Sequence, residues 1–307
     1  MKHMEKEKPI LEDPTEKKHN TRKIIIFIII GIGIVISGLF LYSRYIGTSG
    51  LEVKEYKITN SNIPKSMHGL KIVHISDIHY GRIRYEKQLK NLVKKINLTK
   101  PDLVIFSGDL IDKDTKVTGE MADQISSILK EIKASIGKYA IKGNHDFAFT
   151  QWDFILENSG FIDLDDTYDS IYKESNDYIL LTGISTNLYG DKTLDEKLAP
   201  TNQFLETLTE EMIQPSYRIL VLHEPDSIDQ IDINDFDLVL AGHSHNGQVN
   251  LPLIGPIWLP KGAKTYYKPH YKIGETELFI SSGIGVSTVN FRLFNRPSFN
   301  LYRLTAY

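Results

Sequence analysis

Lys71-Ile72-Val73-His74-Ile75-Ser76-Asp77-Ile78-His79 reads as a short, largely β-branched strand that ends in side chains able to hold a metal ion. The same pattern recurs four more times. Asp102-Leu103-Val104-Ile105-Phe106 leads to Gly108-Asp109-Leu110-Ile111-Asp112, and Lys138-Tyr139-Ala140-Ile141 leads to Gly143-Asn144-His145-Asp146. Tyr217–Leu222 leads to His223-Glu224, and Asp237–Ala241 leads to Gly242-His243-Ser244-His245. Nearly continuous apolar runs of this length suit strands buried on both faces. In open α/β sheets ligands collect at the carboxyl ends of such strands, where every one of these side chains falls.

The chain has no cysteine, so thiolate ligation is excluded and the ligand set is oxygen and imidazole nitrogen. Mixed sets of this kind suit Mn, Fe, Zn or Co better than the oxygen-only preference of Ca or Mg. The inventory exceeds what one ion needs and points to a two-metal hydrolytic centre. In such a centre one carboxylate can bridge ions roughly 3.5–4 Å apart, and a shared water loses its proton near neutral pH. A lone histidine at a strand end is usually a packed one, and His3, His19, His68, His74 and His270 are read so. The repeated context separates His79, His145, His223, His243 and His245 from them. Other chemistries lack their motifs: neither G-x-S-x-G nor G-x-x-x-x-G-K-[ST] occurs.

These blocks resemble the signature motifs of the calcineurin-like metallophosphoesterase superfamily: D-x-H, G-D-x-x-D, G-N-H-D, a strand-end His and G-H-x-H, in that order between residues 77 and 245. Gly247–Pro252, Gly255–Pro260 and Ser282–Gly285 are similar in particular to membrane-associated bacterial phosphodiesterases related to UDP-2,3-diacylglucosamine pyrophosphatase. The resemblance runs from about Leu51 to the C-terminus. It implies an α/β fold of two packed mixed β-sheets flanked by helices, a four-layer sandwich. It also implies roles. Asp77, His79 and His245 would hold one divalent ion, Asp109 would bridge, and Asn144, His223 and His243 would complete the ligand set of the second ion. His145 would face the substrate and protonate the leaving oxygen while a metal-bridging hydroxide attacks phosphorus. Asp146 would orient that imidazole, and Asp112 would stand behind the ligands. One departure is Asn246, where the related branch usually has glycine; it is expected to reshape the rim of the cleft.

Ile24–Tyr42 runs nineteen residues without a charge. At about 1.5 Å per residue this matches the roughly 30 Å hydrocarbon thickness, so a transmembrane helix is expected. It is longer than the core of a cleaved signal and no A-x-A-like site follows, which favours an uncleaved anchor. Lys17, Lys18, Arg22 and Lys23 crowd its N-terminal side against Arg44 beyond it. The expected orientation therefore has the N-terminus cytoplasmic and the catalytic domain extracytoplasmic. Residues 1–23, with seven Lys/Arg and five Asp/Glu, read as a flexible tail. Residues 43–50 read as a loose juxtamembrane link, and residues 51–307 as one catalytic domain.

Amphipathic helices are expected over Glu86–Asn97, Glu120–Lys133, Gln151–Asn158 and Gln203–Met212, with strands at Ser170–Lys173, Tyr178–Ile184, Gly247–Leu251, Glu277–Ser281 and Asn300–Leu304. A net charge of −3 gives no sign of nucleic-acid binding. The segment Leu251–Lys272 mixes apolar, aromatic and lysine residues. It could touch lipid headgroups or an anionic, partly apolar substrate, or be a rigid proline-rich connection. Arg292 and Arg296 could contact phosphate, but two arginines near a C-terminus read as surface residues. The expected activity is hydrolysis of a phosphodiester or pyrophosphate bond, with a lipid-linked or cell-envelope phosphoester as substrate. The alternatives are a phosphomonoesterase or nucleotidase, and a non-catalytic, metal-dependent phosphate-binding envelope protein.

Overall fold

The strand-end motifs sit on two sheets rather than one. The computed structural model describes residues 14–83 and 85–307, with side chains from Arg22 onward. The first sheet collects β1 (Glu52–Thr59), β2 (Lys71–Ile75), β3 (Leu103–Phe106), β4 (Gly137–Ala140), β5 (Ile162–Asp163) and the last strand of the chain. The second collects β6 (Thr167–Tyr172), β7 (Tyr178–Gly183), β8 (Tyr217–Val221), β9 (Leu238–Ala241) and two later strands. After β9 come a small hairpin, β10 (Asn250–Leu251) and β11 (Gly255–Pro256), then β12 (His270–Ile273), β13 (Thr276–Ile280) and β14 (Ser298–Thr305). Strand order is β1-β14-β2-β3-β4-β5 in one sheet and β12-β13-β9-β8-β7-β6 in the other. Both are mixed: β2 to β5 and β7 to β9 run parallel, whereas β14 meets β2, and β6 meets β7, antiparallel.

Alternation along the strands makes the layers. Ile72, Leu103 and Ile105 point inward to meet Ile219, Val221, Leu238 and Leu240 of the second sheet in one cluster. Their neighbours Val73, Ile75, Val104 and Phe106 point the other way, onto α2 (Glu86–Thr99), α3 (Gly119–Lys130) and α4 (Trp152–Ser159). On the far side Leu220, Val239 and Ala241 pack against Leu194 and Leu198 of α5 (Leu194–Thr207). Helices, sheet, sheet and helix give the four expected layers.

Four expectations change, the last in the N-terminal helix. The helix expected at Gln203–Met212 begins instead at Leu194, where Thr193 and Glu196 form a reciprocal capping box. Pro200 lies inside it. Only Asn250–Leu251 of the expected strand Gly247–Leu251 is extended, because Asn246 and Gly247 take positive φ in the preceding turn. The juxtamembrane segment is packed rather than loose. Tyr42–Ile46 forms a π-helical turn, Ser43 and Thr48 are buried, and the Arg292 N–H donates to Ser43 O at 3.0 Å.

The N-terminal helix α1 runs Pro14–Leu41, so residues 14–23 of the expected tail are helical. Proline suits the first helical turn and the lysines, arginine and glutamate that follow are good helix formers. Residues 1–13 lie outside the described residues. Arg22–Ile46 is long and apolar enough to cross a membrane, and none of it is buried against the domain over the apolar window.

Ile105 lies at the centre of the inter-sheet layer and is 1% exposed. Ile105→Ala is expected to cost about 2–5 kcal/mol in urea unfolding, against about 0.5 kcal/mol or less for Leu98→Ala on the open face of α2. Equal losses would contradict the inter-sheet core.

Candidate metal centre

All eight residues expected at the site meet at the common carboxyl end of the two sheets. The loops after β2, β3 and β4 deliver Asp77 and His79, Asp109, and Asn144 and His145; those after β8 and β9 deliver His223, His243 and His245. The ladder does not stop where the strands do. Asp77 N–H donates to Gly108 O at 2.9 Å, His79 N–H to Asp109 O at 3.1 Å and Gly242 N–H to His223 O at 3.1 Å, so each ligand loop is held by its neighbour.

Five of these residues, Asp77, His79, Asp109, His243 and His245, have φ between 46° and 63°. Left-handed backbone costs a non-glycine residue about 1–2 kcal/mol. Such strain gathers where the surroundings over-determine a functional geometry. The space to turn comes from glycines. A Cβ on Gly283, itself at φ +71°, would stand 2.9 Å from Asp77 Cβ and from His245 Nδ1.

Asp109 is the hub. Its Oδ1 accepts from the His145 N–H at 2.7 Å, which leaves Oδ2 facing the rings, 3.7 Å from His79 Nε2 and 3.4 Å from His223 Nε2. Two ligand groups flank it: Asp77, His79 and His245 on one side, and His223 and His243 with Asp109 itself on the other. Each group draws on both sheets. Asp77 is fixed by the His243 N–H, 3.1 Å from Oδ2, and by the Ser76 hydroxyl.

The outer nitrogens of the rings decide which inner ones are free to ligate. His223 Nδ1 donates to Ser107 O at 2.6 Å and His243 Nε2 donates to Lys261 O at 2.8 Å, since carbonyls only accept. The lone pairs are thereby left on His223 Nε2 and His243 Nδ1. His145 is wired the other way. Its Nδ1 accepts from the Lys113 N–H at 3.1 Å, so the neutral ring carries its proton on Nε2. Burial holds His79, His243 and His245 below their ordinary pKa, in the neutral form that binds metals. Burial opposes charge on His223 as well, but the Asp109 carboxylate outweighs it and raises the ring's pKa. Burial, reinforced by the charge on Asp109, pushes Asp77 up to about 7.

A family model for calcineurin-like phosphoesterases matches residues 70–247, more than half of the chain. The protein belongs to that family. Metallophosphoesterase YkuE of Bacillus subtilis (strain 168) is 28% identical over 270 residues, covering 87% of this chain and 90% of its own length. Metallophosphoesterase Cj0846 of Campylobacter jejuni is 29% identical over 289 residues, covering 91% and 70%. A Danio rerio transmembrane protein with metallophosphoesterase domain is 26% identical over 276 residues, covering 86% of this chain and 59% of that protein. Among solved structures, TT1561 of Thermus thermophilus covers 70% of this chain and 90% of its own at 11% identity, with a TM-score of 0.45.

Metal dependence comes with membership of this phosphoesterase family, and the residues present fit it. Asn144 Oδ1 and His223 Nε2 are buried without a hydrogen-bond partner, the latter 3.4 Å from Asp109 Oδ2. With the oxygen and nitrogen donors around them they form an environment that a divalent cation completes. A third grouping, His79, Asp112 and His145, is poorer, because the Lys113 N–H already takes the His145 Nδ1 lone pair. Asp112 instead stands behind His79, 3.8 Å from Nδ1, and is paired with Arg82 at 3.3 Å.

Three sequence readings need correction. Asp146 does not orient the His145 ring. Its two oxygens accept from the N–H groups of Asp109, Leu110 and Gly143 at 2.7–2.9 Å, locking the β3 and β4 loops together. Asn246 is not on the cleft rim. It is buried at φ +45°, a conformation asparagine tolerates, and its Nδ2 donates to Tyr267 O at 3.0 Å. Arg292 is not on the surface but 0% exposed; it donates to the carbonyls of Ser282, Gly283 and Gly285 and lies 3.1 Å from His245 Nδ1. Among the described residues it is the element of the site that strand-end reasoning misses, since its segment has no motif of its own. His74 stays structural as expected, buried with Nε2 2.8 Å from Ser107 Oγ.

Asp146→Asn replaces an acceptor with a donor and leaves at least one buried N–H unpaired. The expected loss is about 1–3 kcal/mol of stability with an unchanged pH profile of turnover. A displaced pH profile at unchanged stability would restore the orienting role.

Proposed function

We propose that this chain is a membrane-anchored, two-metal phosphoesterase that hydrolyses a phosphodiester or pyrophosphate bond of a lipid-linked or cell-envelope substrate. It would stand near the phosphodiesterases related to UDP-2,3-diacylglucosamine pyrophosphatase. Helix α1 is the anchor, with the N-terminus cytoplasmic and the domain from residue 51 outside. Asp77, His79 and His245 would hold one divalent ion and Asn144, His223 and His243 the other, with Asp109 shared between them. The donor set admits Mn, Fe or Zn. The observation that carries this reading is the position of Asp109 Oδ2 between two groups of buried imidazoles.

When bound, the ions supply charge neutralisation at the phosphoryl oxygens and acidity to water. The chain's own residues do the rest. The Lys113 N–H keeps the proton of His145 on Nε2, and His145 borders the cavity together with Asn144 and Asp109. As water adds to phosphorus and the bond to the leaving oxygen breaks, that oxygen takes the His145 Nε2 proton, and the proton lost by the attacking water restores the ring. A non-catalytic phosphate binder has no use for a donor wired in this way. A cavity of about 230 Å³ walled by Val249, Ile257, Val289 and Phe291 adjoins His145. A second substituent on phosphorus fits there, which favours a diester over a monoester.

The test compares bis-p-nitrophenyl phosphate with p-nitrophenyl phosphate, using the detergent-purified chain stripped of metal and resupplied with Mn²⁺, Zn²⁺, Fe²⁺ or Mg²⁺. Metal-restored turnover of the diester is expected; turnover of the monoester alone would reverse the preference. His145→Ala should keep its metals and lose about 10²–10⁴ in turnover. Full activity in that variant would remove the proton-donor role. Asp109→Ala should lose metal by elemental analysis, and two ions retained per chain would remove its bridging place.

A further inference from the structure

We propose that the hairpin Leu251–Pro260 is a second membrane contact. It dips into the leaflet where α1 ends, so that the cavity beside His145 receives the apolar part of a phosphoester amphiphile from that leaflet. This rests on the reading of α1 as a membrane span and of the site as a phosphoesterase.

Continuity comes first. The stretch Phe291–Leu293 touches both elements. On one side the Phe291 ring lies 5.9 Å from Phe40 of α1, and the Arg292 N–H donates to Ser43 O at the end of that helix. On the other, Leu293 O accepts from the Asn250 N–H at 3.0 Å, and Val249 bridges to Leu293 at the root of the hairpin. Three extended residues cover roughly 10 Å. The end of the span and the hairpin are therefore neighbours, and an exposed apolar surface there lies close to any bilayer that α1 crosses.

Such a surface is present. Leu253 is 109% exposed, Ile254 76%, Ile257 63% and Trp258 56%. Isolated apolar side chains on a surface are ordinary, but four within six residues beside a membrane helix are a patch. Its surroundings match an anionic headgroup layer. From Leu251 to Lys272 there is no acidic residue, and Lys261, Lys264 and Lys268 are exposed. Lys264 Nζ lies 5.7 Å from the centre of the Trp258 ring, the amphipathic pairing favoured at a bilayer interface. The juxtaposition that names the substrate is that Ile257 and Trp258 belong to both surfaces. They are exposed on the hairpin and they also line the cavity that holds Asn144 and His145. A chain leaving the lipid meets that apolar wall before its phosphate meets the ligand cluster.

The protein carries its own probe. Of two tryptophans, Trp152 is 2% exposed in the core and Trp258 is at the surface. The full chain is reconstituted in vesicles of equimolar phosphatidylcholine and phosphatidylglycerol, with or without bromine on the acyl chains. Brominated lipid should quench emission, and Trp258→Phe should abolish that quenching. Hydrolysis of hexadecyl p-nitrophenyl phosphate is then compared with that of methyl p-nitrophenyl phosphate, which shares the reacting group. Leu253→Asp with Ile254→Asp should slow the hexadecyl ester roughly tenfold or more and leave the methyl ester unchanged. Unquenched Trp258 in the inserted chain overturns the membrane contact. Loss of both esters together, or no wild-type preference for the hexadecyl ester, overturns lateral access. If neither ester is turned over by the wild type, the phosphoesterase reading falls instead, and the quenching still decides the contact.

Discussion

Eight residues arrive from five strand ends on two sheets and gather around the carboxylate of one of them, Asp109. Its Oδ1 is taken by the His145 N–H and its Oδ2 is left facing imidazoles from both sheets. That arrangement requires β2, β3, β8 and β9 to end at the same level, which the parallel pairings and the inter-sheet contact of Ile72, Leu103 and Ile105 with Ile219, Leu238 and Leu240 impose. A sheet slip by one residue would exchange core and outer faces and carry the ligands away from one another. The apolar core and the polar site are thus two ends of one packing solution.

The cluster is costly in isolation. Buried Asp77 and Asp109 repel each other, the rings are desolvated, and five residues sit in left-handed backbone. Divalent metal would offset these costs, by supplying positive charge beside the carboxylates and accepting nitrogen lone pairs. The main chain contributes the rest. Carbonyls of Ser107 and Lys261 fix two tautomers, the Lys113 amide fixes a third in the opposite sense, and Asp146 ties the amides of two loops. His145 is thereby wired in the opposite sense to His223 and His243.

Arg292 joins this centre to the end of α1. Its side chain gathers the carbonyls of the loop that cradles Asp77 and His245, while its own N–H holds the last turn after α1. The apolar N-terminal helix is therefore not attached at a distance. It ends against the same few residues that wall the cavity.

Which strands carry the ligands was legible in the sequence, because a buried strand followed by a ligand residue is a local pattern and it is repeated five times. The apolar span Arg22–Ile46 was legible for the same reason, as length and hydropathy are properties of one segment. What each neighbouring side chain does was not. Asp146 follows His145 in sequence, yet it bonds backbone from another strand. Arg292 lies 47 residues from His245 and reaches it only because β13 and the loop after it fold back over β9. The expected loose link at 43–50 is packed because residues 291–293 meet it, and helix α5 runs through Pro200 because a capping box starts it earlier. Composition and order alone determined the ligand types, the strand ends that bear them and a helix of membrane length. Tertiary structure decided which nitrogen of each ring is free, which carboxylate stands between the two groups, and where the apolar hairpin lies, since those depend on hydrogen bonds between segments that the chain order keeps apart.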